Sequence, residues 1–262
     1  MQARHDGVLL LTLNRPDRRN ALSPELYEEL LSVLHLASVD AEVGAVVLTG
    51  AGGAFCSGGD ITRMAKGGME TLSVEDRVAR LRWRTGICEL LHEMVKPTIA
   101  MIRGPAVGAG LSIALACDLR FGDPTARMKT GFLQVGVSGD FGCHYFLPRI
   151  VGMAKARELF LTSPMLDAQT ALSLGLLNQL IEADALAGVV TAVAQQLAAG
   201  PRTAIAQMKY NMNQGLHASL GSMLDAESMR HVRCTDTLDH REATAAYVER
   251  RKPRFGKDSK DQ

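Results

Sequence analysis

Cysteine is sparse and scattered in this chain. Five cysteines in 262 residues, at positions 56, 88, 117, 143 and 234, share no CxxC spacing. An odd, dispersed set builds neither a disulfide framework nor a zinc site, so no metal site is expected. A reducing, cytoplasmic compartment is the expected setting. Net charge is nearly absent too: 29 Lys and Arg stand against 28 Asp and Glu. Without a field of one sign there is no global attraction for nucleic acid or an anionic membrane. No apolar run approaches the roughly 18 residues of a membrane-spanning helix. The N-terminus shows no charged-then-apolar leader. Repeats and low-complexity segments are missing. The one basic cluster, Arg250, Arg251, Lys252, Arg254 and Lys257, reads first as a solvated tail.

What remains is an ordinary soluble composition, 47% hydrophobic and 22% charged, long enough to bury a large core. Val8–Leu13 and Ala45–Gly50 are apolar strand-like runs, and 97–102 is a third. Helical patterns alternate with them. Ser23, Pro24 and Glu25 form an N-cap, a proline at N1 and an early acid. From about residue 200 the chain reads as helix throughout. Strands alternating with helices imply an α/β fold with parallel pairing. The expected organisation is a core over 1–200 and a helical part over 201–262.

Two strands exit into glycine-rich loops. Residues 54–61 read Ala-Phe-Cys-Ser-Gly-Gly-Asp-Ile, and 103–112 read Arg-Gly-Pro-Ala-Val-Gly-Ala-Gly-Leu-Ser. The second opens a small, apolar helix, and a helix N-terminus presents unpartnered N–H groups that favour negative charge. If the loops converge, each offers one amide to a single oxygen, which suits a thioester enolate or a tetrahedral oxyanion. Rival motifs fail. Gly108 and Gly110 lack the third glycine of a dinucleotide fingerprint, since Ile113 stands there. Ser112 has no GxSxG elbow around it and reads as a small residue lining a cavity or bonding a helix carbonyl.

Together these stretches resemble the crotonase superfamily, the enoyl-CoA hydratase/isomerase family. Leu13-Asn14-Arg15-Pro16 with Asn20-Ala21-Leu22 resembles its N-terminal signature. The loops 54–61 and 104–118 resemble its two oxyanion loops. Leu147 to Gly152, Ala168 to Asn178 and Ala246 to Phe255 resemble later segments in the same order. The resemblance implies a spiral of ββα units with a C-terminal helical trimerisation region, giving a homotrimer or a hexamer of two stacked trimers. It implies an acyl-CoA thioester substrate, with coenzyme A as part of that substrate and no separate cofactor. By position, Gly59 and Ala109 would supply the oxyanion hole. Ser57, Asp60 and Ile61 would border the adenine and pantetheine path, and Arg18 would lie near the CoA phosphates. Lys252 or Lys257 would reach a neighbouring subunit's nucleotide.

Hydratases of the family use two glutamates, expected at Ser112 and Phe132. Neither position is acidic, and neither residue type does general acid–base work. Asp140 falls where several non-hydratase members carry an aspartate. These include enoyl-CoA and dienoyl-CoA isomerases, the ring-epoxyphenylacetyl-CoA isomerase, and the chlorobenzoyl-CoA dehalogenase, whose aspartate is a nucleophile. One carboxylate beside Phe132 and Phe141 can move a proton along an acyl chain; the competing reading of Asp140 is a helix N-cap. The leading expectation is double-bond isomerisation through Asp140. Hydration with a non-standard set, Asp140 and His144, and a CoA-ester-binding protein without turnover are the alternatives. Ser112, Phe132 and His144 are the expected pocket residues. Met64, Met69, Leu81 and Trp83 are candidates for the acyl wall or for core packing, and the segment 62–80 is expected to help set substrate shape.

Overall fold

The computed structural model describes residues 1–65 and 72–256; Met69 and Lys257 lie outside them. Six strands form the main sheet in the order β1 (Gln2–His5), β2 (Val8–Leu13), β3 (Ala45–Gly50), β4 (Thr98–Ile102), β6 (Leu119–Gly122) and β9 (Gln179–Leu180). Pairing is parallel except for β1 on β2. A smaller sheet joins β5 (Pro105–Val107), β7 (Arg127–Lys129) and β8 (Leu166–Asp167). Around them lie α1 (Pro24–Val39), α2 (Ile61–Met64), α3 (Val74–Glu93), α4 (Ala109–Ala116), α5 (Cys143–Val151), α6 (Met153–Thr162), α7 (Ala168–Ser173) and α8 (Leu186–Ala198). Three helices close the chain: α9 (Arg202–Gly215), α10 (Leu220–Thr235) and α11 (Leu238–Val248).

The continuous apolar strands follow from a sheet covered on both faces. Alternate residues point to opposite sides. Leu9, Leu11, Val46, Leu48, Ala100 and Ile102 join α1, α3 and α4 in the larger core. Val8, Ala45, Val47, Ile99 and Phe121 meet Leu186, Val190 and Ala194 of α8 in the smaller one. Helix α1 starts as its sequence requires: Pro24 occupies the first turn and Ser23 Oγ accepts the Leu26 N–H.

Strands β1, β5 and β8 go beyond the sequence expectation, and β5 bears on the site. The chain does not pass from β4 straight into α4 but first forms β5. Three residues carry no readable period, and their partners are non-local: β7 on one side and Cys56 on the other. The Cys56 N–H donates to Pro105 O at 3.0 Å, and the Val107 N–H returns to Cys56 O at 2.9 Å. This bridge brings the first glycine loop onto the second.

Gly110, in the first turn of α4, permits the crossing. A Cβ there would overlap the Cys56 carbonyl oxygen, which is main chain and cannot swing away. Gly110→Ala is therefore expected to lower stability by about 3 kcal/mol or more through overpacking. Gly188→Ala, on an open face of α8 with no atom near the added carbon, should stabilise by about 0.5–1 kcal/mol. Chemical denaturation of the two variants measures the contrast.

Candidate active site

The first loop is built from the N-terminal turn upward. Asn20 is fully buried with φ of 56°. Its Nδ2 donates to Ala51 O and Ala54 O at 2.9 and 2.7 Å, and its Oδ1 accepts the Arg15 N–H. One amide side chain thus holds the β3 exit. Arg15 extends over the same turn to Ala21 O and to Asp60 Oδ2. Asp60 also caps α2 through the Arg63 N–H. Its carboxylate is occupied by Arg15 and that amide, which hold it below the ordinary carboxylate range against the effect of burial. Ser57 Oγ lies 3.4 Å from Arg18 O, and the Ser57 N–H donates to Arg19 O. Arg18 and Ile61 are exposed beside them. Met64 lies over Gly59, 2.5 Å from where a Cβ would stand.

The two loops meet at Gly58. With φ of 87°, it places its α-carbon so that a side chain would stand 2.7 Å from Val107 O and 3.5 Å from Ala109 N. Gly59 follows directly, and Ala109 is the first residue of α4. Among the described residues neither amide has a backbone acceptor; for Ala109 this is inherent in a helix start.

Asp140 reaches the same place from a third loop. Its carbonyl accepts the Ser112 hydroxyl at 3.2 Å and the Cys143 N–H at 3.2 Å. Ser112 Oγ also lies 3.2 Å from Gly108 O. The serine therefore ties the Asp140 main chain to the first turn of α4. It is fully buried and bonds a carbonyl of its own helix start, one of the two roles its sequence offers. Helix α5 begins at Cys143 with Gly142 as its cap residue, so Asp140 is not an N-cap and its side chain is free for other work.

That side chain is half-buried, and Oδ1 is out of solvent with no hydrogen-bond partner. Burial pushes the carboxyl up to about 6, and no charged neighbour contributes. Phe141, which follows it, holds a left-handed φ of 53°. A non-glycine residue there costs about 1–2 kcal/mol. Its ring is fully buried and stacks on Tyr27 with centroids 5.7 Å apart, which fixes the turn. Burial and the Asp140 charge together push the Tyr27 phenol above its ordinary range.

Phe132 is buried near Gly108 and Gly139 and stacks on Phe160. His144 is exposed, and its ring lies flat on Phe160 at 4.2 Å. Trp83 borders a separate hollow between α1 and α3, with Leu31, His35 and Leu90. Leu81 and Lys252 are exposed. Sequence reading missed Tyr27, whose helical spacing with Leu30, Leu31 and Leu34 marks it only as core. No group of His, Cys, Asp and Glu among the described residues could hold a metal ion. No described helix is long and apolar enough to cross a membrane.

The fold and the paired loops define an enzyme of crotonase type. The family profile described as Enoyl-CoA hydratase/isomerase matches residues 3–258. The chain is 34% identical over 222 residues to 4-chlorobenzoyl coenzyme A dehalogenase-2 of Arthrobacter sp., covering 85% of this chain and 80% of the relative. It is 30% identical over 252 residues to 1,2-epoxyphenylacetyl-CoA isomerase of Escherichia coli (strain K12), covering 95% of each. The crystal structure of an enoyl-CoA hydratase from Polaromonas sp. JS666 matches with a TM-score of 0.91 at 31% identity, over 97% of this chain and 98% of that one. The chain belongs to the enoyl-CoA hydratase/isomerase family.

A carboxyl raised by burial is a stability cost once ionised. Between the ordinary carboxylate value and about 6 the native chain binds more protons than the unfolded one. The stability Asp140 contributes is complete below that window and is lost as pH rises through it. Asp140→Asn is expected to stabilise the protein by about 1–2 kcal/mol at neutral pH, allowing for partial exposure. At pH 3 to 4 the gain should vanish. Denaturant titrations of both proteins at the two pH values check this.

Proposed function

We propose that the protein shifts a double bond in an enoyl-CoA thioester, with Asp140 as the proton shuttle. Coenzyme A enters as part of the substrate. The ionised carboxylate takes a proton from C2 of a 3-enoyl thioester. The electron pair delocalises into a dienolate, whose oxygen accepts the Gly59 and Ala109 N–H groups. The protonated Asp140 returns the proton at C4, leaving a 2-enoyl thioester and a regenerated carboxylate. Each oxyanion donor of this kind contributes about 3–4 kcal/mol to the transition state. Arg18, Ser57, Asp60 and Ile61 border the path assigned to the CoA moiety.

The observation carrying this reading is the lone carboxylate. Asp140 has an unbonded, buried oxygen and no charged group acting on it, while Ser112 and Phe132 occupy the positions of a hydratase pair. Water addition needs a second group to hold and activate the water. His144, packed flat on Phe160, favours neither that task nor the activation of water that a dehalogenase's aryl ester would require. Hydration remains the second reading because the similar Polaromonas protein is an enoyl-CoA hydratase.

The deciding experiment offers 3-enoyl-CoA and 2-enoyl-CoA thioesters in deuterated water and follows products by mass. The expected result is double-bond migration without addition of water, reduced about 10²–10⁴-fold in Asp140→Asn. Efficient hydration that survives Asp140→Asn would sink the mechanism, and tight thioester binding with neither reaction would mark a binding protein. Because the base must be ionised, kcat/KM should rise with pH and level off above about 6; a rate that falls over that range contradicts the assignment.

We also propose assembly as a trimer, or as two stacked trimers, through the C-terminal helices. Met208, Met212, Leu220, Leu224, Val232 and Tyr247 are all exposed on α9–α11, an apolar surface that an isolated chain would leave in water. Removing 236–262 should yield monomers in sedimentation velocity; a monomeric full-length protein refutes the assembly.

A further inference from the structure

Arg84 lies on α3, three and four residues before the buried Ile87 and Cys88. It therefore belongs to the inward stripe of that helix. Its guanidinium carbon stands 4.9 Å from the centroid of the Tyr27 ring. Tyr27 in turn stacks on Phe141, the residue after Asp140. One aromatic layer thus separates Arg84 from the turn that carries the candidate shuttle.

Every other arginine buried to this degree donates to a protein acceptor. Arg15 reaches Ala21 O and Asp60. Arg103 reaches Ala183 O, and Arg230 reaches Asn211 Oδ1. The buried Arg120 reaches Cys117 O and Leu176 O. Among the described residues Arg84 has the Tyr27 face and no hydrogen-bond acceptor. Arg82, on the outer side of the same helix, pairs with Glu89. A guanidinium presents donors in a planar fork that matches a carboxylate bidentately. Its nitrogens keep contact with solvent, since none is among the buried atoms left without a partner, so the fork is open to an incoming anion.

We propose that Arg84 recognises an oxyanion carried by the substrate, and that this is a carboxylate on the acyl group. The preferred thioesters are then ω-carboxyacyl-CoA compounds, with the thioester oxygen at the Gly59 and Ala109 amides and the distal carboxylate past the Tyr27–Phe141 face. This rests on the acyl-CoA reading of the site. A phosphate of the CoA moiety offers the same chemistry to an arginine, and the test separates the two.

A short series of saturated acyl-CoA thioesters, each paired with its ω-carboxy counterpart, is titrated by calorimetry against the full-length protein. Saturated chains bind without turnover. For at least one chain length, the carboxylated member is expected to bind about tenfold or more tighter, as a bidentate ion pair supplies. Arg84→Met should erase that preference while leaving the uncharged thioester's Kd unchanged, and Arg84→Lys should restore part of it. A melting curve for each variant shows that it is folded. Equal affinity within every pair overturns the proposal. So does a loss in Arg84→Met that is the same for free coenzyme A and both thioesters, which assigns the arginine to a CoA phosphate. Failure of every thioester and of coenzyme A to bind refutes the acyl-CoA reading as well, and that result differs from binding without a preference.

Discussion

Cys56 and the segment 105–107 exchange two main-chain hydrogen bonds, and the position of both candidate oxyanion amides follows from them. Each bond contributes only about 0.5–1.5 kcal/mol net. Their weight comes from burial. Cys56 and Ala106 are fully enclosed, so breaking the bridge would strand main-chain donors and acceptors away from water. Around the bridge the side chains are absent or small, because backbone must meet backbone. Gly58 faces Val107 O, and Gly110 faces the Cys56 carbonyl. Asn20 then holds the outer end of the first loop through Ala51 and Ala54. The site is a property of main-chain crossings first and of side chains second.

Asp140 is held by different means. The bonds to its carbonyl, from Ser112 and the Cys143 N–H, fix where the residue sits. The Tyr27–Phe141 stack fixes which way the turn runs. Neither restrains the carboxylate itself, which keeps one buried oxygen unbonded. An anchored backbone with an unsatisfied side chain is what proton transfer asks for: an accurate position, and an acid whose proton affinity is set by burial instead of by a salt bridge. A charged partner at this point would hold the carboxylate ionised and make it a poor proton donor.

The strands, the major helices and both glycine loops were legible because each rests on local pattern. Strand runs of five or six residues and the Ser23–Pro24 cap act within a few residues of themselves. What escaped reading depends on distant partners. Strand β5 exists through its pairing with β7 and Cys56. The bond from Ser112 to its own helix carbonyl is local, but its second bond, to Asp140 O, becomes visible only when residue 140 is brought above α4. The competing roles of Asp140, cap or free acid, differ by where α5 begins, and the left-handed Phe141 and Gly142 delay that start to Cys143. Arg84 and Tyr27 gave no signal, since an arginine on a charged helix and a tyrosine at core spacing are both unremarkable until they meet.

The C-terminal helices are joined to this scaffold at the far end of α3. The Lys209 ammonium, buried on α9, donates to Asp118 Oδ2 at 2.7 Å and to the carbonyls of Leu91 and Lys96. Asp118 also accepts the N–H and hydroxyl of Thr98, the first residue of β4. Three donors with three acceptors leave nothing unsatisfied, which is the condition for a buried charge to be tolerated. An apolar contact of similar size would let α9 slide along α3, because dispersion has no direction. An ammonium that must meet three oxygens has one register. That register places the exposed apolar face of α9–α11 at a defined position relative to α3, the helix that carries Arg84, and to β4, the strand that leads into the Gly104–Gly110 loop. The C-terminal helices are therefore tied, through one buried ammonium, to the end of α3 and the start of β4.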